Sequence, residues 1–119
     1  MEKLEYLSYD ENVDHLTIYK ANADIDTNID GGLVILSLNK LKDIVGIEFM
    51  GAHKNFNIPT QTLEHLKSCK VTLKYIAQNQ IIIINVQLKT KDEASPLVFS
   101  SHTDLGNDGF FKEFECAVV

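Results

Sequence analysis

The chain has 119 residues, 45% of them hydrophobic and 24% charged, with six Gly, two Pro and no Trp. That composition excludes low-complexity disorder, collagen and coiled coil, and the length suits one domain that buries roughly two thirds of its unfolded surface. Seventeen acids face eleven Lys and no Arg, for a net charge of −6. An independent nucleic-acid binder is therefore not expected, because like charge repels the polyanion and the bidentate Arg fork is missing.

Period-2 apolar alternation recurs along the chain, each stretch bounded by Asp, Asn, Gly or Pro, and predicts up to eight short strands. The first two, residues 4–9 and 15–20, are joined by Asp10-Glu11-Asn12-Val13-Asp14, whose short polar side chains close a hairpin by bonding their own backbone. Leu16 and Ile18 share one face of the second strand, and Thr17 and Tyr19 the other. Asp24, Asp26, Asn28 and Asp30 then alternate with Ile25, Thr27 and Ile29, a pattern that suits an edge strand with its acids in water. After Gly31-Gly32, residues 33–38 are apolar at nearly every position and are expected to be covered on both faces. Residues 39–43 turn the chain back into 44–50, with Val45, Ile47 and Phe49 on one side and Gly46, Glu48 and Met50 on the other.

Only residues 59–69 read as helix. Pro59 suits a first turn, Thr60 or Thr62 can cap it, Leu63 and Leu66 keep helical spacing, and Lys67 and Lys70 favour its carboxyl end. Strands return at 70–78 and 81–89 around a tight Asn79-Gln80 turn. A charged loop at 90–96 leads to a strand at 97–101, a Gly/Asn/Asp turn at 104–109, and a last strand at 110–119. The expectation is an α+β fold, predominantly antiparallel sheet with one short helix, in a single domain without a flexible linker.

The amino terminus lacks the basic and apolar regions of a signal peptide, and no apolar run is longer than Ile81 to Ile84, so neither secretion by that route nor a membrane span is expected. Cys69 and Cys116 lack CxxC spacing and sit in apolar-alternating contexts, which reads as two free thiols in a cytoplasmic protein.

Tyr9-Asp10, Asp14, Leu16, Ile18 and Tyr19, followed by Asp30-Gly31, Val34 and Val45-Gly46-Ile47-Glu48-Phe49-Met50, carry a resemblance. Over about residues 5–58 the chain resembles the domain of unknown function 2283 family. Many members end the second motif with an acid, Ala and Ser, where Gly51-Ala52-His53 stands here. The resemblance implies a small β-rich fold with no established reaction, and some relatives look like the antitoxin-side partners of small toxins.

The family-like motifs single out Tyr9, Asp10, Asp14 and Glu48 as candidate ligand- or partner-binding residues. Paired carboxylates do acid–base chemistry when their environments separate their pKa values, but Asp10 and Asp14 also suit a turn-forming role that needs only local hydrogen bonds. Asp24, Asp26, Asn28 and Asp30 share the i, i+2 spacing of a Ca²⁺ loop, yet Ile29 and Ile35 stand where that loop needs Gly and a bidentate Glu, so no metal site is assigned. His15, His53, His65 and His102 show no zinc spacing. Ser100, His102 and Asp104 alternate along one extended stretch about 7 Å apart, too far for a catalytic relay. No cofactor is expected.

The reading is a non-enzymatic protein-interaction or regulatory module of the cytoplasm, presenting an acidic, β-edged surface to a protein partner or to itself as a homo-oligomer. The alternatives are a small ligand-binding protein or hydrolase using Asp10, Asp14 and Glu48, and an acidic inhibitor that mimics nucleic acid.

Overall fold

Nine strands and one helical turn succeed one another through residues 2–118, the part of the chain that the computed structural model describes, with side chains described from 6 to 118. The strands are β1 (Glu2–Asp10), β2 (His15–Tyr19), β3 (Thr27–Asp30), β4 (Val34–Leu38), β5 (Ile44–Met50), β6 (Ser68–Ile76), β7 (Ile81–Lys89), β8 (Ala94–His102) and β9 (Phe110–Val118), with α1 (Thr60–Glu64) between β5 and β6. They form one sheet in the order β3-β4-β5-β2-β1-β9-β6-β7-β8. Every neighbouring pair is antiparallel except β1 and β9, which run parallel and join the sheet's two halves.

The sheet curls because one side of each strand is apolar and must leave water. Leu7, Leu16, Ile18, Val34, Leu36, Ile47 and Phe49 from the first half meet Val71, Leu73, Ile82, Ile84, Val86, Leu88 and Phe114 from the second in one buried cluster. Phe56, from the β5–α1 connection, spans the two halves, with its ring edge-on to Phe49 at 5.7 Å and to Phe99 at 6.2 Å. Burial of this kind is worth about 1.5–3 kcal/mol per large apolar side chain and is the main source of the fold's stability.

A predominantly antiparallel sheet is what the alternation predicts, and the hairpin of β6 and β7 pairs Ser68 through Ile76 with Ile81 through Lys89 without a break. The α part of the expected α+β fold is smaller than predicted. α1 covers five residues, not 59–69, and Pro59 at its N-cap makes no side-chain capping bond. Thr60 and Thr62 therefore do not cap it. Lys67 and Lys70 are not at its carboxyl end either: the Lys67 amide bonds the Lys89 carbonyl, and Lys70 already lies in β6. Two apolar residues were too few to hold three helical turns against that competing ladder.

Other expectations also need correction. β4 buries Val34, Leu36 and Leu38 while Ile35 and Ser37 are only half-covered and Leu33 is exposed, so one face is packed rather than both. β3 is the edge strand expected of the acidic stretch, but it starts at Thr27. Ile25 lies outside it, 59% exposed, Thr27 is exposed too, and only Ile29 packs on the core. β8 begins at Ala94, three residues before the predicted strand, which shortens the charged loop to a tight turn closed by Thr90 and Glu93. Val119 of the predicted last strand lies outside the described residues.

The cysteines differ most from expectation. Cys69 of β6 stands directly opposite Cys116 of β9, Cα atoms 5.5 Å apart, and the two form a disulfide rather than free thiols. Both are buried. A sequence separation of 47 hides a pairing that the ladder makes obvious.

Candidate functional site

The β1–β2 hairpin brings Tyr9 and Asp14 together. Tyr9 pairs with Leu16 across the ladder and points to the inner side, while the loop returns through Asp14 in a left-handed conformation with φ of 57°. Asp is among the few non-Gly residues that accept that conformation readily. The Tyr9 hydroxyl then donates to Asp14 Oδ1 at 2.7 Å.

Asp14 also anchors the segment after β5. Its Oδ1 accepts the His53 amide at 2.9 Å, its Oδ2 the Lys54 amide at 3.0 Å, and its carbonyl the amides of Gly51 and Ala52. The chain at 51–57 winds in successive turns, Asn55 bonding back to Gly51 and Asn57 to His53, so the carboxylate caps the start of a helical coil across 39 residues of sequence. Gly51 enters that coil at φ +74°, a conformation that favours glycine. The His53 ring closes the segment by donating from Nδ1 to the Ile58 carbonyl at 2.8 Å.

The electrostatics follow from this geometry. Burial works to raise the Asp14 pKa, but the amides of Lys54 and His53, the Tyr9 hydroxyl and the nearby His53 ring outweigh it, and the carboxyl lies below its ordinary range. The same pair has the opposite effect on Tyr9. Burial first, then the hydrogen bond to Asp14 and its charge, with Glu64 and Glu11 adding, push the phenol up to about 12.

The remaining candidates go elsewhere. Asp10 Oδ1 accepts the Asn12 amide at 2.9 Å, a local turn bond. Glu48 lies on the outer face of β5 and meets His15 Nδ1 of β2 at 2.8 Å. Tyr9 and Asp10 line an open cleft of about 520 Å³ with Ser8 and Glu11 on one side and Leu63, Glu64 and Leu66 of the α1 region on the other. Asp14 and Glu48 do not line it. Of the four expected residues the structure thus bonds Tyr9 to Asp14, keeps Asp10 beside Tyr9 on the cleft, and places Glu48 with His15 instead.

The acidic stretch is likewise divided. Asp26 Oδ2 accepts the Thr27 hydroxyl, Asn28 Oδ1 accepts the Ser37 hydroxyl, Asp30 Oδ1 accepts the Gly32 amide, and Asp24 is exposed. Among the described residues no group of three or more His, Cys, Asp or Glu side chains is placed to hold a metal ion. Ser100 and His102 lie on β8 while Asp104 caps its own turn by accepting the Gly106 amide. Among the described residues no helix is long and apolar enough to cross a membrane.

Beyond the disulfide and the Asp14 cap, sequence reasoning missed two further features. Tyr75 is buried on β6, yet its hydroxyl donates to the Gly106 carbonyl at 3.1 Å and accepts the Leu105 amide at 3.0 Å, pinning the β8–β9 loop. Lys112, on the same side of β9 as Phe110 and Phe114, lies 5.6 Å from the Phe110 ring centre and 3.5 Å from Asp43. The alternation of Phe110, Lys112 and Phe114 was the available signal for an inward Lys. Comparisons with protein-family models, curated proteins and solved structures find no match to this chain.

Proposed function

We propose that the chain is a non-enzymatic protein-interaction or regulatory module. The observation that carries this reading is the fate of the candidate carboxylates. Asp10 closes a turn, Asp14 ties two segments together and Glu48 pairs with His15, so each is engaged in a separate structural bond and they share no cavity. General acid–base work needs such groups within hydrogen-bond reach of one reacting centre.

The surface proposed for a partner is the acidic cleft between the end of β1 and α1, where Asp10, Glu11 and Glu64 stand together. A partner with a basic, lysine- or arginine-rich face complements it. Cytoplasmic placement belongs to this reading as well, and the Cys69–Cys116 disulfide is the observation that weighs against it.

The test compares the wild-type chain with Asp10→Asn/Glu11→Gln/Glu64→Gln as bait in the native host. A protein retained by the first and lost by the second, in rising salt as well, supports the module. If Asp10→Asn and Glu48→Gln instead abolish a measured turnover while leaving the melting temperature unchanged, the reading gives way to an enzyme.

A further inference from the structure

The two edges of the sheet are protected unequally. β3, at one edge, is four residues long. The Gly31 amide bonds the Val34 carbonyl, which sets the ladder so that Asn28 and Asp30 turn their backbone groups outward, beside the charge of Asp30. Short length and charge are the usual protections of an edge. β8, at the other edge, is nine residues long and carries no Asp, Glu or Lys.

The free groups of β8 follow from its register. The Thr90 amide bonds the Glu93 carbonyl at one end of the β7–β8 ladder, and the Thr103 amide bonds the Gln80 carbonyl at the other. Both pairs fit the same register as Ile84 opposite Phe99, so Ser95, Leu97, Phe99 and Ser101 exchange bonds with β7. Ala94, Pro96, Val98, Ser100 and His102 therefore direct their backbone groups away from the sheet. Pro96 falls in this outward set, where its missing N–H takes nothing from the β7 ladder. It also ends any further pairing in that direction, leaving residues 98–102 as the part of β8 with no ladder partner on its outer side.

We propose that this segment pairs with its counterpart in a second copy of the chain, antiparallel, about a two-fold axis through Ser100. This rests on the interaction-module reading and names a partner for a different surface. The outward residues are spaced symmetrically, so the segment is its own complement. Ser100 pairs with Ser100 of the other copy and Val98 with His102, each residue donating one amide and accepting at one carbonyl. The His102 carbonyl also receives a long 3.4 Å bond from the Ser101 hydroxyl, which leaves its second lone pair for the partner.

Chemistry favours a second copy over an unrelated strand. The segment carries no Asp, Glu or Lys on either side, so the acids behind the −6 charge of each chain are not brought together at the axis. Val98, 58% exposed on the outer face, gains cover from the paired strand, and the half-buried Ile81 and Ile83 lie on the adjoining β7. The acids of β3 disfavour continuation from the other edge, so pairing closes at two copies instead of growing into a fibre.

The experiment is size-exclusion chromatography with light scattering on wild type, Ser100→Lys and Ser100→Glu, separately and mixed. Ser100 is exposed, so either side chain is accommodated in the monomer, but two like charges then face each other across the axis. The expected result is a dimer for wild type, a monomer for each variant alone, and a dimer again for the equimolar mixture. Amide exchange in the wild-type protein gives the second readout: Val98, Ser100 and His102 are protected in a concentration-dependent manner, while Asn28 and Asp30 are not. A monomeric wild type throughout the micromolar range, or a Ser100→Lys protein that remains dimeric, overturns the proposal. Neither result bears on the acidic cleft, whose charge-neutralised variant is judged separately.

Discussion

Tyr9 and Asp14 are five residues apart in sequence and 2.7 Å apart in space, and through that bond the first hairpin holds the coil that follows β5. Asp14→Asn keeps a side chain that tolerates the left-handed backbone but loses the charge and one acceptor oxygen. We expect a loss of about 1–3 kcal/mol, read as a lower urea midpoint with an unchanged slope. Tyr9→Phe removes one hydroxyl and is expected to cost about 1 kcal/mol. Because the two share a bond, the double variant is expected to lose less than the sum of the single losses.

The same pair sets the pH profile at both ends. The Asp14 pKa is lowered from 3.8 in the folded chain, so its contribution is complete above that value and is lost as pH falls through the folded-state pKa. The Tyr9 pKa is raised from 10.0 to about 12, so its contribution is complete below pH 10 and is lost as pH rises from there toward 12. Urea midpoints measured across pH check both limbs. Tyr9→Phe is expected to flatten the alkaline limb, and Asp14→Asn the acid one.

Reducing the Cys69–Cys116 disulfide, or replacing both residues with Ala, removes a cross-link between β6 and β9 that spans 47 positions of sequence. We expect a loss of about 2–4 kcal/mol, chiefly through a less restricted unfolded chain. Thiol labelling followed by mass spectrometry is expected to find no reactive cysteine in the native protein and two after reduction in denaturant.

Phe56 tests the curl of the sheet. Its ring is half-buried between Phe49 and Phe99, so Phe56→Ala is expected to cost about 2 kcal/mol, less than the roughly 3–5 kcal/mol of Phe49→Ala at a fully buried site. Amide exchange is expected to rise in β8, where Phe99 loses its neighbour, and to stay unchanged in the central β2 and β1. The His15–Glu48 pair is a contrast. Both side chains are about one third exposed, and Glu48→Gln is expected to change stability by no more than about 1 kcal/mol.

Much of the architecture was legible from periodicity. Leu16 and Ile18, Val71 and Leu73, and Ile82 and Ile84 each mark an inner face by alternation, and each lies in the core. Asp10 as a turn former was legible for the same reason, since its bond to the Asn12 amide is local. What alternation cannot carry is partnership between distant segments. Glu48 stood out in sequence, but its His15 partner depends on the β2–β5 register.

Residue order alone is thus enough to say that this chain makes a mainly antiparallel sheet with one short helix, because side-chain alternation and turn chemistry act over a few neighbouring positions. Tertiary structure decided the parallel seam of β1 and β9, the joining of Cys69 to Cys116, the capping of His53 and Lys54 by Asp14, and the side of β8 left without a ladder partner. Each of these depends on which strands become neighbours once apolar faces compete for one interior. That competition is settled by the chain as a whole and leaves no local signature.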